Sequence, residues 1–308
     1  MSDLQSVYDR INDLEATLAQ AADAGQAPTF ADELANESLR QRRDELVSLS
    51  QSLAVRQLVD VCDYRIIPEH GNLYRAKAVA ATIDTFQDMV TAFFASIREG
   101  RPRQKASFSA DIVNASSLNI GYAYAGSLGF VFYVPSDQLQ IGDTDLDKAV
   151  SSAFALAEQR TPDGVRAIAD EFGRAAVRSF YSWAKSQIDY GLAAEVKWAR
   201  GSEVKSRLFV QTSELEAAIS AIDLSTEETS ELLELPGMLV AIDVTRQSFK
   251  MSFPDADDVT GRLAAAFNWQ TPHSVPSRYT GVFEKRTLTR LWSDDDVVNW
   301  TLLDLKEV

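Results

Sequence analysis

The chain is poor in the residues that cross-link proteins or hold metals. It has one cysteine, Cys62, and two histidines, His70 and His273, among 308 residues. A single thiol cannot form an internal disulfide, and zinc sites use several Cys or His ligands at short spacing. We therefore predict no metal and no cofactor, and a reducing cytoplasm as the compartment.

Motifs that bind phosphate or activate a nucleophile are also missing. Neither G-x-G-x-x-G nor G-x-x-x-x-G-K-S/T occurs. The nearest catalytic pattern is Ala125-x-Ser127-x-Gly129, which resembles a nucleophile elbow with His273 downstream. An elbow needs a helix after its serine, whereas residues 130–134 have the composition of a strand. A turn is therefore favoured over a hydrolase site at Ser127, and a non-enzyme over an enzyme.

Long apolar runs and positive charge are scarce as well. No run approaches the ~20 residues of a membrane helix, and the first residues lack the basic and apolar regions of a signal peptide. Lys and Arg number 30 against 45 Asp and Glu, a net charge of −15. Nucleic acids and anionic membranes attract basic surfaces. The expected partner is thus another protein or a second copy of the chain; nucleic acid is disfavoured and a membrane is not expected.

The first 57 residues have the pattern of two amphipathic helices. Apolar residues recur three and four positions apart, which is the spacing of a coiled-coil seam. The seam consists of Leu4, Val7, Ile11, Leu14 and Leu18, then Leu39, Leu46, Leu49 and Leu53. We predict an αα-hairpin over residues 1–57, with its helices pairing either within one chain or between chains as an oligomerisation element.

Residues 58–212 predict a central α+β domain with an antiparallel sheet packed by long helices. Strands are expected at 58–68, 106–113 and 118–134, and as a hairpin over 195–210. Helices are expected at 74–97 and, as one long element, at 161–190, where a proline is tolerated in the first turn and Gly191 ends the helix.

The last third predicts an acidic connector followed by a small barrel. Residues 213–235 hold seven acids and no basic residue and are predicted as a helix. Pro236-Gly237 marks a boundary, and residues 236–308 contain several short strand patterns separated by turns. Many short strands at this spacing are typical of a small β-barrel, here expected to be SH3-like.

The order of these elements resembles that of a set of uncharacterised bacterial proteins. The shared features are an Asp-x-Arg-Ile strand, a Gly-Ser-hydrophobic-Gly strand turn, a hairpin tryptophan and a terminal small barrel. They correspond here to Asp63, Arg65 and Ile66, to Gly126, Ser127, Leu128 and Gly129, and to Trp198. The resemblance covers residues 58–308 and carries no assigned activity. It implies the architecture, a bacterial origin and a setting in an anti-phage defence or accessory operon.

Two basic clusters are the candidate ligand- or partner-binding residues. They are Arg98, Arg101, Arg103 and Lys105 in one loop, and Arg278, Lys285, Arg286 and Arg290 in the barrel region. Aromatic residues interleave with the second cluster, as they do in proteins that bind single-stranded nucleic acid. The leading hypothesis is a non-catalytic assembly or adaptor subunit. The alternatives are a module that senses a nucleotide or single-stranded nucleic acid, and a hydrolase using Ser127.

Overall fold

The computed structural model describes residues 2–23, 29–57, 59–71, 74–124, 128–135, 142–200, 203–254, 256–268, 272–293 and 295–307. These residues form two compact units, Met1–Ser225 and Thr226–Val308. The helices are α1 (Ser2–Asp23), α2 (Phe30–Gln57), α3 (Ala76–Glu99), α4 (Ala110–Ser116), α5 (Asp145–Ala157), α6 (Pro162–Phe172), α7 (Arg174–Tyr190) and α8 (Thr212–Leu224). The strands are β1 (Val59–Pro68), β2 (Asn119–Tyr124), β3 (Leu128–Pro135), β4 (Leu192–Arg200), β5 (Glu203–Val210), β6 (Glu227–Asp243), β7 (Ser248–Phe253), β8 (Ala256–Leu263), β9 (Ser277–Thr289) and β10 (Val297–Glu307).

The first unit is built on a five-stranded antiparallel sheet in the order β2-β3-β1-β4-β5. Successive residues of a strand point to opposite faces. On β1, Cys62, Tyr64 and Ile66 are fully buried on the face packed by the long helices. Trp183 of α7 donates its indole N–H to the Tyr64 hydroxyl at 3.1 Å. The predicted antiparallel sheet with helix packing is therefore confirmed.

The helix predicted at 161–190 is interrupted at Gly173, which separates α6 from α7. Gly173 has φ +87°, a conformation that favours glycine. A Cβ there would overlap the backbone of Arg103, whose N–H donates to Phe172 O at 3.1 Å and whose carbonyl accepts from the Ala175 N–H at 3.0 Å. The break therefore arises because a distant loop supplies the hydrogen bonds that a continuous helix would have made.

The strand predicted at 106–113 is also wrong, because residues 110–113 belong to α4 and residues 106–109 are in neither a helix nor a strand. Ser109 accepts from the Ile112 N–H at 3.5 Å and caps the helix, and Ser116 Oγ donates to Ile112 O at 2.9 Å. The buried residues, Ile112 and Ser116, are four apart, which is a helical spacing. A short alternating segment fits either period, and packing decided between them.

The second unit is a closed five-stranded barrel in the order β10-β8-β7-β6-β9. All neighbours are antiparallel except β8 and β10, which are parallel. Its core contains Leu239, Met251, Phe283 and Leu302, all fully buried. The predicted small barrel is confirmed as a closed five-stranded barrel.

The acidic segment 213–235 is helical only as far as Leu224, so its second half corrects the sequence prediction. From Glu227 the chain is the first barrel strand and pairs with β9 along residues 227–239. Helix propensity is a weak prior, and a continuous ladder of backbone hydrogen bonds outweighs it. Among the described residues, no helix is long and apolar enough to cross a membrane.

Candidate functional site

Part of the predicted N-terminal seam packs within the chain. Val7, Ile11 and Leu46 are buried together between α1 and α2. The other seam residues are half-buried or, for the last one, exposed: Leu14, Leu18, Leu39, Leu53 and Leu49. The side chain of Leu4 lies outside the described residues, as does the 24–28 connection between the helices. The buried residues join α1 to α2, and oligomerisation through the seam remains a prediction.

The basic loop after α3 is paired with nearby carboxylates. Arg98 lies 3.2 Å from Asp145, and Glu99 accepts from Arg101 at 3.0 Å and from Arg103 at 2.8 Å. The hydrogen bond from Arg101 is the main reason that the pKa of Glu99 lies below its ordinary value. Lys105, the fourth basic residue predicted in this loop, takes no part in these ion pairs. This loop is therefore a weaker anion site than its composition suggests.

Two of the basic residues of the barrel face acids of β6. Arg286 lies 3.0 Å from Glu284 and 3.7 Å from Glu228, and Lys285 stands opposite Glu231 in the β6–β9 ladder. The acidic segment and the basic cluster of the sequence are thus neighbours within one barrel. Their charges offset each other, which weakens the attraction for a phosphate backbone.

The other two barrel cations differ from each other. The Arg290 guanidinium lies 5.2 Å from the centre of the Trp292 ring. Arg278 makes no hydrogen bond or ion pair with another described residue, and it lines a groove. Of the predicted barrel residues, Arg278 therefore has the most freedom to meet a partner.

The groove beside Arg278 is lined mostly by apolar surface and has a volume of about 660 Å³. Its floor is formed by Leu235, Phe253, Val259 and Trp300, which pack on the barrel core without being fully covered. The rings of Phe253 and Trp300 each meet Phe283 edge to face, at 6.1 and 5.7 Å between centroids. Met238, 44% exposed, stands on the rim. An apolar concavity with few polar groups is the usual form of a binding site.

A second concavity, which sequence reasoning did not single out, lies in the first unit between the N-terminal helices and the sheet. It is a cavity of about 170 Å³. The helices contribute Tyr8, Asn12, Glu15 and Ser50, and the sheet contributes Asp63, Arg65, Tyr122, Tyr124, Glu195, Lys197 and Arg207. Ionisable and hydroxyl side chains from six elements therefore converge on one polar cavity.

Strand order explains why these side chains meet. The register aligns Tyr122, Val131, Asp63, Lys197 and Arg207 in one row across the five strands. All five therefore emerge on the same face, the one opposite the Cys62–Tyr64–Ile66 core. The sequence contained one signal, since Asp63 and Arg65 alternate with buried residues on β1, but it did not reveal the order of the strands.

A chain of hydrogen bonds and ion pairs runs along the cavity wall. Tyr124 donates to Asp63 at 2.5 Å and accepts from Arg65 Nε at 2.7 Å. The Arg65 guanidinium also lies 3.3 Å from Glu15 and 3.6 Å from Glu195. Arg207 adds a second contact to Glu195, at 3.3 Å. Every carboxylate of the cavity therefore has a donor.

Three donors of the cavity have no partner among the described residues. They are the Tyr122 hydroxyl, the Asn12 amide nitrogen and the Lys197 ammonium. Tyr122 is only 5% exposed. A buried polar group without a hydrogen bond costs about 1–3 kcal/mol. These three donors are therefore available to a ligand that carries acceptor atoms.

Burial shifts the pKa values of several groups at this site. It raises the pKa of Asp63, against the opposing effects of the Tyr124 hydrogen bond and of the Arg65 and Lys197 charges. It also raises the pKa of Tyr8 to about 12 and that of Tyr122 further. The tyrosines are thus neutral hydroxyls at physiological pH.

The chain matches no family model, no curated protein and no solved structure. Among the described residues, no three His, Cys, Asp or Glu side chains are grouped so as to hold a metal ion. Ser127, the candidate nucleophile, lies outside the described residues.

Proposed function

We propose that this chain is a non-catalytic assembly or adaptor subunit that docks a partner protein in the apolar groove of the barrel. The observation that carries the proposal is the half-buried apolar floor of Leu235, Phe253, Val259 and Trp300 with the unpaired Arg278 beside it. The resemblance to bacterial proteins suggests a defence or accessory operon as the setting.

The chemistry of the groove favours an extended apolar segment that carries an acidic residue. Aromatic-lined grooves on small barrels of the SH3 type take extended peptides, and we propose the same use here. The apolar floor would bind two or three side chains of the partner. Arg278 would bind a carboxylate, because a guanidinium matches carboxylate geometry and no acid of the described residues occupies it.

Nucleic-acid sensing is the weaker alternative. Arg286 and Lys285 stand next to Glu284, Glu228 and Glu231. The phosphates of a nucleic-acid strand would be repelled by those acidic side chains as well as attracted by the basic ones. The chain as a whole has a net charge of −15. The seam on the N-terminal helices suggests a further route to assembly through a second copy of the chain.

Selection from a random peptide library displayed on phage tests the proposal, using the full-length protein as bait. We expect enriched peptides with apolar residues around an Asp or Glu. Synthetic copies of these peptides should bind the protein but not its Met238→Glu variant, in which a charge stands on the groove rim. The matched control is Val244→Glu, since Val244 is another exposed barrel residue, 61% exposed, that does not line the groove.

Charge reversal at Arg278 tests whether this residue binds the acidic residue of the peptides. Arg278→Glu should disfavour the acidic peptides and enrich peptides with Lys or Arg at the same position. The proposal fails if no peptide is enriched, or if Met238→Glu and Val244→Glu bind the peptides equally well. Salt-dependent binding of a labelled oligonucleotide that is lost in Arg286→Ala plus Arg290→Ala would favour the nucleic-acid alternative instead.

A further inference from the structure

The polar cavity of the first unit does not take part in the proposed docking, and three of its donors make no hydrogen bond or ion pair with a described residue. Tyr122, Asn12 and Lys197 reach it from β2, α1 and β4 and find no acceptor there. The three carboxylates of the same wall, Asp63, Glu15 and Glu195, already accept from Tyr124, Arg65 and Arg207. A ligand that enters the cavity would supply the acceptor atoms with which these three donors make no hydrogen bond.

We propose that this cavity binds a small monocarboxylate, whose oxygen atoms accept from Tyr122, Asn12 and Lys197. A carboxylate fits because the missing partner is an acceptor, and because Lys197 is the cation of the cavity wall that makes no ion pair with a described residue. The Lys197 ammonium would pair with the single charge of the acid. A dianion would stand close to Asp63, Glu15 and Glu195, and Lys197 is the one cation of the wall without an ion pair to a described residue, so phosphate is disfavoured.

The volume sets the size of the ligand. A cavity of about 150 Å³ takes a molecule as large as benzene, with six carbon atoms. The cavity here is about 170 Å³. A carboxylate of about six to eight non-hydrogen atoms would fill it, whereas a nucleotide is several times too large. Ile11, Val47 and Val61 line the same cavity and would contact the apolar part of the acid.

The position of the cavity gives such a ligand a structural effect. Tyr8, Asn12 and Glu15 belong to α1, whereas Tyr122 and Lys197 belong to the sheet. A bound carboxylate would therefore join α1 to the sheet through Asn12 on one side and Tyr122 and Lys197 on the other. Binding to the folded state alone also raises the melting temperature as the ligand concentration rises.

Saturation-transfer NMR and thermal melting of the full-length protein with isobutyrate test the proposal. Isobutyramide is the neutral probe of the same shape, and inorganic phosphate is the dianionic probe. We expect isobutyrate to bind in the millimolar range that a ligand of this size reaches and to raise the melting temperature. Isobutyramide and phosphate should bind at least about tenfold more weakly, since each lacks the charge match.

Two variants separate a ligand site from a structural cluster. Tyr122→Phe removes only the unpaired hydroxyl, so it should raise the melting temperature of the ligand-free protein while weakening isobutyrate binding about tenfold. Lys197→Met should weaken isobutyrate binding and leave isobutyramide unchanged. Lys185→Met is the control, because Lys185 pairs with Asp189 outside the cavity.

The outcomes are decisive in either direction. No saturable isobutyrate signal means that the cavity holds only water, and equal binding of isobutyrate and isobutyramide means that the donors do not recognise a charge. Either result overturns the proposal. Should Lys197→Met fail to fold, Tyr122→Phe with its opposite effects on stability and binding still gives the answer.

Discussion

The hydroxyl of Tyr124 donates a 2.5 Å hydrogen bond to Asp63 on β1, although the two residues lie on strands separated by β3. The ring reaches across β3 because the residue beneath it is Gly129, where a Cβ would overlap the ring. Arg65 completes the contact, with its Nε donating to the Tyr124 hydroxyl at 2.7 Å and its guanidinium 5.4 Å from the ring centre. Three strands are thereby joined on the face that carries the polar cavity.

Substitution of Gly129 tests this arrangement. Gly129→Ala should displace the Tyr124 ring and break its bond to Asp63, at a cost of about 1–3 kcal/mol in the free energy of unfolding. Chemical denaturation measures that loss. In the Tyr124→Ala background, where the ring is absent, the same glycine change should cost much less. An equal cost in both backgrounds would contradict the contact.

The pH dependence of stability follows from the buried carboxyl of Asp63. Burial raises its pKa in the folded protein above its ordinary value, so the folded state holds the proton more tightly than the unfolded state. The stability gained by protonation is fully present below the unfolded pKa of about 4 and is lost as the pH rises through the folded pKa. Asp63→Asn should remove this loss and still accept from Tyr124.

The measurement is the melting temperature of Asp63→Asn relative to the parent protein across that pH range. The difference should grow in favour of the variant as the pH rises. Asp258→Asn is the control with opposite sign, because a hydrogen bond from Lys250 lowers the pKa of Asp258. For Asp258, the melting temperature of the parent protein should rise relative to that of the variant as the pH rises. If the difference in melting temperature between Asp63→Asn and the parent protein does not change with pH, the pKa of Asp63 is not raised by burial.

Cys62 should be inert in the native protein. Its side chain has no exposed surface, and burial raises the pKa of the thiol well above its ordinary value. Only the thiolate reacts readily, so labelling by a thiol reagent should require unfolding. Native samples should remain unlabelled while denatured samples react at once. Ser48→Cys in a Cys62→Ala background, with its thiol on the exposed part of α2, should react in the native state. Rapid native labelling of Cys62 would be incompatible with its position.

The start of the barrel can be tested with two fragments. Residues 227–236 pair with residues 280–289 of β9, so a fragment 237–308 keeps only the pairing of residues 237–239 with 277–279 and loses the rest of the β6–β9 ladder. A fragment 226–308 keeps the whole ladder. We expect cooperative thermal unfolding, measured by circular dichroism, for 226–308 only. Matching melting temperatures for the two fragments would show that the acidic half of β6 contributes nothing to the barrel.

The sequence alone determined the elements whose pattern is local and strong. The strand predicted at 58–68, the apolar helix predicted at 74–97 and the short strands predicted after Pro236 are each indicated by residue composition or spacing, because side chains alternate along a strand and recur every three or four residues along a helix. The spacing of apolar residues in the first 57 residues likewise predicted two amphipathic helices. Composition also limited the chemistry, since the motifs for phosphate loops are absent from the chain.

Tertiary structure decided the features that depend on distant partners. Gly173 breaks a helix because Arg103 approaches it, and residues 227–235 form a strand because β9 lies beside them. The polar cavity exists because the strand order brings Tyr122, Asp63 and Lys197 into one row. Local spacing fixes which face of a strand a residue occupies, whereas the neighbouring strand is chosen by burial and backbone pairing over the whole sheet.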